Sequence, residues 1–281
     1  MLALSPAGRR YGYLRDVPDH RDFGISNLEG FKSALGVSNV DLESFCGPVL
    51  DQGQEGSCTA HFGAGVRAFL ANKYQTQSVE FSPAFLYYLA RQMDNFYSAN
   101  NRWATNDELK AFIAANPAVD DVGSFGRTIC RVLNQFGACT RATMPYTPGD
   151  FSTAPNDAQY AEALTYKGGA YHRLNTVADM KSCLASGYTF GIGFTVYESF
   201  ESDQMAKDGL WTPDAANERV LGGHEVEAIG FDDSVNSGSF KVRNSWSATW
   251  GAKGNFFLRY VDAANSNILQ DAWLPHLGKA W

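Results

Sequence analysis

Apolar positions recur at helical spacing through the first half of the chain and give way to strand-like runs in the second. Ala60, Ala64, Val66, Ala68, Phe69 and Leu70, with no proline among them, predict a helix starting at Cys58 and capped by Ser57. Ser82 before Pro83, followed by an aromatic-aliphatic face, predicts a second over 82–91. Residues 94–123 are polar and irregular and read as a surface insertion with a short helix near 107–115, and Ile129, Val132, Leu133 and Phe136 predict a helix over 128–136 closed by Gly137. After the turn chemistry of Met144-Pro145-Tyr146-Thr147-Pro148-Gly149, a helix over 177–185 ends at Gly187. The stretches 188–196, 225–231, 239–243 and 255–260 then read as strands, with turns at 236–238 and 251–254. Helices first and strands later predict an α+β protein: a helical lobe over 46–155, a β-rich lobe over 156–281, and a cleft between them as the place for a site. Residues 1–45 hold no period. They interleave charge with Tyr11, Tyr13, Phe23 and Phe31, which predicts an extended arm lying against the body.

Composition narrows the partners. The chain has 281 residues and 44% hydrophobic content, enough for a sizeable core. A net charge of −7, with no basic run longer than Arg9-Arg10, disfavours nucleic acid and anionic membranes. No apolar stretch approaches the roughly 20 residues of a spanning helix, and the opening seven residues are too short for a signal peptide's apolar region. The location is therefore left open between the cytoplasm and export after trimming. Cysteines fall at 46, 58, 130, 139 and 183 without Cys-x-x-Cys or Cys/His spacing, so no metal site is expected. If Cys58 is set apart, the other four can form two bridges or stay reduced, and reduced is the expectation.

The chemistry gathers around Asp51-Gln52-Gly53-Gln54-Glu55-Gly56-Ser57-Cys58. A thiol in a first helical turn feels the positive end of the helix dipole and unpaired N–H groups, which favour thiolate. Free cysteine is also among the most buried residue types, so at this point a structural role stands beside a nucleophilic one. A nucleophilic thiol needs a base, a group that holds the base, and donors for the charge that develops on substrate oxygen. His224 enters a strand from Gly222-Gly223, and Asn244 ends the next strand, so an amide can lie beside the imidazole with Trp246 shielding their hydrogen bond. Gln52 offers a side-chain N–H that can join the Cys58 backbone N–H as an oxyanion hole.

Gln52-Gly53 through Gly56-Ser57-Cys58, then Gly223-His224-Glu225-Val226 with Ile229-Gly230-Phe231, then Asn244-Ser245-Trp246 with Trp250-Gly251 stand in the order of three linked motifs, and over roughly residues 46–270 the chain resembles the papain-like cysteine peptidases. The resemblance implies a papain-like fold with a helical left lobe and a β-barrel-like right lobe, and an endopeptidase working through a thioester acyl-enzyme on a peptide or protein substrate, without a cofactor. Carried over residue by residue, Cys58 is the nucleophile, His224 its ion-pair partner and general acid, Asn244 the group that orients the ring, and Gln52 an oxyanion donor. Gly123, Ser124, Gly223, Glu225, Trp246 and Trp250 are the expected substrate-binding positions. Glu225 either lines the second subsite, where it would favour a basic side chain, or points to solvent. Glu55 and Thr59 replace a bridge-forming cysteine and an aromatic residue of the family, and 166 residues separate Cys58 from His224 against about 130–150 in the family. The short N-terminal segment resembles that of a bacterial, xylellain-like subgroup and is expected to cover the cleft partly, as an intramolecular inhibitor. Two other readings use the same residues: a thiol amidase or transglutaminase-like acyl transferase, and a latent papain-fold binding protein.

Overall fold

The computed structural model describes residues 2–17, 19, 22–25 and 31–276. Parts of the expected arm, at 18, 20, 21 and 26–30, lie outside the described residues, as do 1 and 277–281. The elements run β1 (Tyr13–Leu14), β2 (Asn39–Asp41), α1 (Cys58–Tyr74), α2 (Pro83–Asn100), α3 (Asn106–Ala115), β3 (Ser124–Phe125), α4 (Gly126–Gln135), α5 (Asp157–Thr165), β4 (Tyr171–Arg173), α6 (Val177–Ala185), β5 (Phe190–Tyr197), α7 (Asp203–Asp208), β6 (Val220–Asp232), β7 (Ser239–Arg243), β8 (Asn255–Arg259), α8 (Tyr260–Ala263) and β9 (Leu269–Pro275). No described helix is long and apolar enough to cross a membrane.

α1 is the pivot of the molecule. It begins at Cys58, and nearly all of its first fourteen residues are buried because it packs on α2 and α4 on one side and on β5 and β6 on the other. A helix covered all round shows no sharp amphipathic period. α2 starts at Ser82, whose hydroxyl accepts the Phe85 N–H. It runs to Asn100, overturning the irregular stretch expected from residue 94: Met93 and Phe96 continue its buried face, and Asp94 accepts a hydrogen bond from Thr128 at 2.6 Å. Asn95, Ser98 and Asn100 lie on the exposed outer face. α3 closes this helical insertion with a Thr105–Glu108 capping box and places Phe112 edge-on to Phe96.

The strands form a largely antiparallel sheet ordered β4-β9-β5-β6-β7-β8, with β2 added to β6. Among the described residues β4 and β8 end the sheet unpaired with each other, so the β-rich part forms no closed barrel. β6 is long and covered on both faces, which buries its run from His224 to Phe231. Register places His224 opposite Phe194 and Glu225 opposite Gly193, while Glu227 faces Arg243, the last residue of β7. Asn244 therefore emerges next to the strand that carries His224. One apolar core joins helices and sheet. All five cysteines are free thiols.

Candidate active site

The turn before α1 is held by the segment after β7. Gln52 N–H donates to Ser245 C=O at 3.0 Å, and Ser247 N–H donates to Leu50 C=O at 3.1 Å. The Gln52 side chain is fixed at both ends: its oxygen accepts from Ser245 Oγ at 2.6 Å, and one N–H goes to Glu55 C=O at 2.8 Å. Ser57 occupies the cap position of α1 but does not cap it, contrary to expectation; its hydroxyl instead meets Tyr146 at 2.8 Å. Cys58 is fully buried. Burial pushes its thiol up to about 12, although the backbone N–H groups of Glu225, Gly12 and Thr59 pull the other way.

On the sheet side, His224 Nε2 lies 2.8 Å from Asn244 Oδ1. The same oxygen accepts the Ser245 backbone N–H at 2.8 Å, which fixes the amide orientation. An oxygen can only accept, so Nε2 carries the proton and Nδ1 is left with a bare lone pair. Nδ1 is buried and has no hydrogen-bond partner among the described residues. Trp246 stacks on the imidazole at 5.2 Å, as expected, and Phe194 and Phe200 pack edge-on to it. Burial pushes the ring down to about 4, outweighing the opposing effect of Asn244. Thiol and imidazole are thus both neutral in this enclosed state.

The N-terminal segment encloses them. Gly12 bridges Gly223 in parallel on one wall, while β1 pairs in parallel with β3 on the other, Tyr13 opposite Ser124. Gly12 C=O accepts the Ser124 N–H at 2.8 Å. Tyr11 sits edge-on to His224 at 5.9 Å, and the Arg9 guanidinium lies 4.8 Å over Trp246. Glu201 accepts from Ser5 Oγ, from Ala7 N–H at 3.1 Å and from Tyr11 OH at 2.6 Å. Arg10 reaches the buried Asp121 at 3.3 Å, whose other oxygen takes the Gly56 N–H at 2.9 Å and the Tyr87 hydroxyl at 2.6 Å. Gly123, Ser124 and Gly223 therefore touch the arm directly. Trp250 packs behind Trp246 at 5.0 Å and against Phe200, one layer from the arm.

Glu225 does not point to solvent. It is fully buried, both carboxylate oxygens lack hydrogen-bond partners among the described residues, and burial raises its pKa well above the usual carboxylate range. The arm's Tyr13 hydroxyl and Asp16 N–H close over the same region by donating to Asp271, the latter at 2.9 Å. Asp16 itself accepts from Trp273 Nε1 at 2.9 Å and Arg127 N–H at 3.0 Å, and Arg173 pairs with Asp271. Glu201, Asp121, Asp271 and Tyr146 were not singled out as site residues from sequence. Each sits on a different element, and no local motif marks it.

An α+β body in which one N-terminal segment meets both a helix-borne thiol and a buried imidazole–amide pair has the arrangement of a cysteine peptidase of the papain-like kind. The chain belongs to the papain family of cysteine proteases, whose pattern matches residues 121–276. An uncharacterized peptidase C1-like protein of Acanthamoeba polyphaga mimivirus is 28% identical over 299 residues, covering 97% of this chain and 88% of that one. The crystal structure of xylellain, a cysteine protease from Xylella fastidiosa, superposes with a TM-score of 0.78 at 28% identity, covering 96% of each chain. Procathepsin B S9 from Trypanosoma congolense shares the fold, with a TM-score of 0.69 at 18% identity over 96% of this chain and 88% of that one.

Proposed function

We propose that this cysteine peptidase cleaves peptide bonds with Cys58 as nucleophile, His224 as ion-pair partner and general acid, Asn244 holding the ring, and Gln52 with the Cys58 N–H stabilising the oxyanion, and that its N-terminal arm keeps it latent. The observation that carries the latency is the arm's backbone lying between Ser124 and Gly223 over the thiol. Gly12 turns an N–H, not a carbonyl carbon, to Cys58 while its own carbonyl is held by Ser124, so the arm acts as an occupant and not as a substrate. An epoxysuccinyl probe that alkylates Cys58 tests this in the full chain. Labelling should be slow and should speed up when the Glu201 clamp is removed by Glu201→Ala; equal rates would count against latency.

Glu225 is proposed to favour a basic side chain in the pocket that Tyr13 fills. An unpartnered buried carboxylate gains most from a cation that brings its own charge and donors. Glu225→Gln should cut the preference for arginine over leucine at that substrate position by about 10–100-fold in kcat/KM, in line with the loss of one buried charge pair. A panel of paired peptides measures it, and an unchanged ratio removes Glu225 from the pocket.

The same cluster makes arm docking depend on pH. Burial and then Asp271 push the Asp16 carboxyl up to about 7, with Arg127 and Trp273 offsetting part of this, and Asp271 and Glu225 are raised in the same direction. A carboxyl raised in the docked state binds a proton there, so its contribution to docking is full below about pH 4 and is lost as pH rises through about 7. Probe labelling of the wild type, divided by that of a variant with a released arm, should therefore climb between about pH 5 and 8. A flat ratio would refute the dependence.

A further inference from the structure

The loop that follows α4 buttresses the nucleophile turn at several points. Tyr146 OH donates to Gln52 C=O at 2.9 Å and lies 2.8 Å from Ser57 Oγ; Gly149 N–H donates to Glu55 Oε2 at 3.1 Å; and a Cβ on Gly53 would come within 3.1 Å of Pro148. The His61 ring packs edge-on to Tyr146 at 4.7 Å. His61 Nδ1 lies 2.9 Å from Ser57 C=O, which only accepts, so that nitrogen is protonated, and burial keeps the ring neutral by pushing it down to about 4. Gln52 C=O likewise only accepts, so the Tyr146 proton is spent there and the Ser57 hydroxyl donates to Tyr146 Oη. One buried hydroxyl thereby joins the residue that carries the side-chain amide donor to the residue that precedes the nucleophile.

We propose that Tyr146 is a positioning residue that sets the separation between the Gln52 amide and the Cys58 N–H, and hence the hydrogen bonds offered to a negatively charged oxygen formed on the carbon attached to Cys58. The inference rests on the reading of Cys58 as nucleophile and Gln52 as oxyanion donor. Ser245 and Glu55 already fix the Gln52 side chain relative to the rest of its turn. The Gln52 backbone is held by Ser245 C=O and by the Glu55 N–H at 3.3 Å, and the Tyr146 hydroxyl adds a direct tie from the Gln52 carbonyl to Ser57.

Full-length Tyr146→Phe tests it without disturbing the ring packing on His61. Two reactions at Cys58 are compared. Iodoacetamide alkylates the sulfur, displacing iodide, and forms no oxyanion. A blocked glycinal adds reversibly: the Sγ–C bond forms, the carbonyl π bond breaks, the thiol proton passes to the bare Nδ1 of His224, and the carbonyl oxygen takes the negative charge where the donors point. Both require the arm to be open, so the open fraction cancels in their ratio. Tyr146→Phe should weaken glycinal binding about tenfold, less than the loss of a whole oxyanion donor, and leave alkylation within about twofold. Parallel losses in both reactions would mean general disruption and would overturn the proposal, as would no change in either. Ser57→Ala cuts the hydroxyl chain from its other end and carries the same test if Tyr146→Phe does not fold. Neither readout is peptide cleavage, so a wild type that cut no peptide would undo the peptidase reading while leaving this comparison intact.

Discussion

Gly12→Val is expected to raise the rate at which an epoxysuccinyl probe labels Cys58 in the full chain by at least about tenfold, a shift that needs only ~1.4 kcal/mol of lost docking. A Cβ on Gly12 would overlap the Gly56 carbonyl and lie 2.7 Å from Gly56 Cα. Contacts with backbone cannot be relieved by a rotamer change. The body side is also the stiffer one: Gly56 N–H is held by Asp121, which is buried and anchored by the Tyr87 hydroxyl. The arm on the other side is a single extended strand with a two-residue pairing to β3. Overpacking a well-packed contact costs about 1–3 kcal/mol, and here the cheapest relief is to lift the arm. Hydrolysis of a small peptide substrate should rise in parallel, while the melting temperature moves little because α1 and the sheet keep their packing. Unchanged labelling in a folded Gly12→Val protein would show that the arm does not control access to the thiol.

What the sequence discloses here follows how local each feature is. The start of α1, the whole of α6 and the strands bearing His224 and Asn244 are signalled by neighbours in the chain: a Gly-rich turn before an apolar run, a glycine two residues after Ala185, a glycine pair before His224. Tyr11, Tyr13 and Phe31 also announced that the arm lies on something, whereas Phe23 stays exposed. Which partners they meet was not legible, because Tyr11–Glu201 and Tyr13–Asp271 join residues about 190 and 260 positions apart with no pattern linking them. β9 escaped for a related reason. Its Gln270 and Asp271 break the apolar alternation, and they are tolerated because Asp271 is satisfied by Arg173 and the arm. The extension of α2 was hidden by its polar outer face. Glu225 shows the limit most plainly: sequence placed it beside the histidine, but only the fold shows that its carboxylate is enclosed and unpaired.

Cys58→Ala should abolish peptide hydrolysis, lowering kcat by about 10⁴-fold or more, since the remaining groups can polarise a carbonyl but no atom is left to form the acyl-enzyme. The loss should not come from unfolding. In the enclosed state the thiol is pushed up to about 12 and the imidazole down to about 4, so the substitution removes one neutral buried atom and strands no charge. The cavity left by a single sulfur should cost about 1 kcal/mol or a little more, visible as a small drop in melting temperature. The arm should stay docked, because it loses only the Gly12 N–H contact to the sulfur and keeps its anchors at Glu201, Asp121, Ser124 and Asp271. Adding His224→Ala to Cys58→Ala should lower hydrolysis little further, as the base serves only that nucleophile. Peptidase activity retained in a folded Cys58→Ala protein would defeat the assignment. Activity lost together with the fold would instead mean that the thiol is structural, the alternative its complete burial would otherwise support.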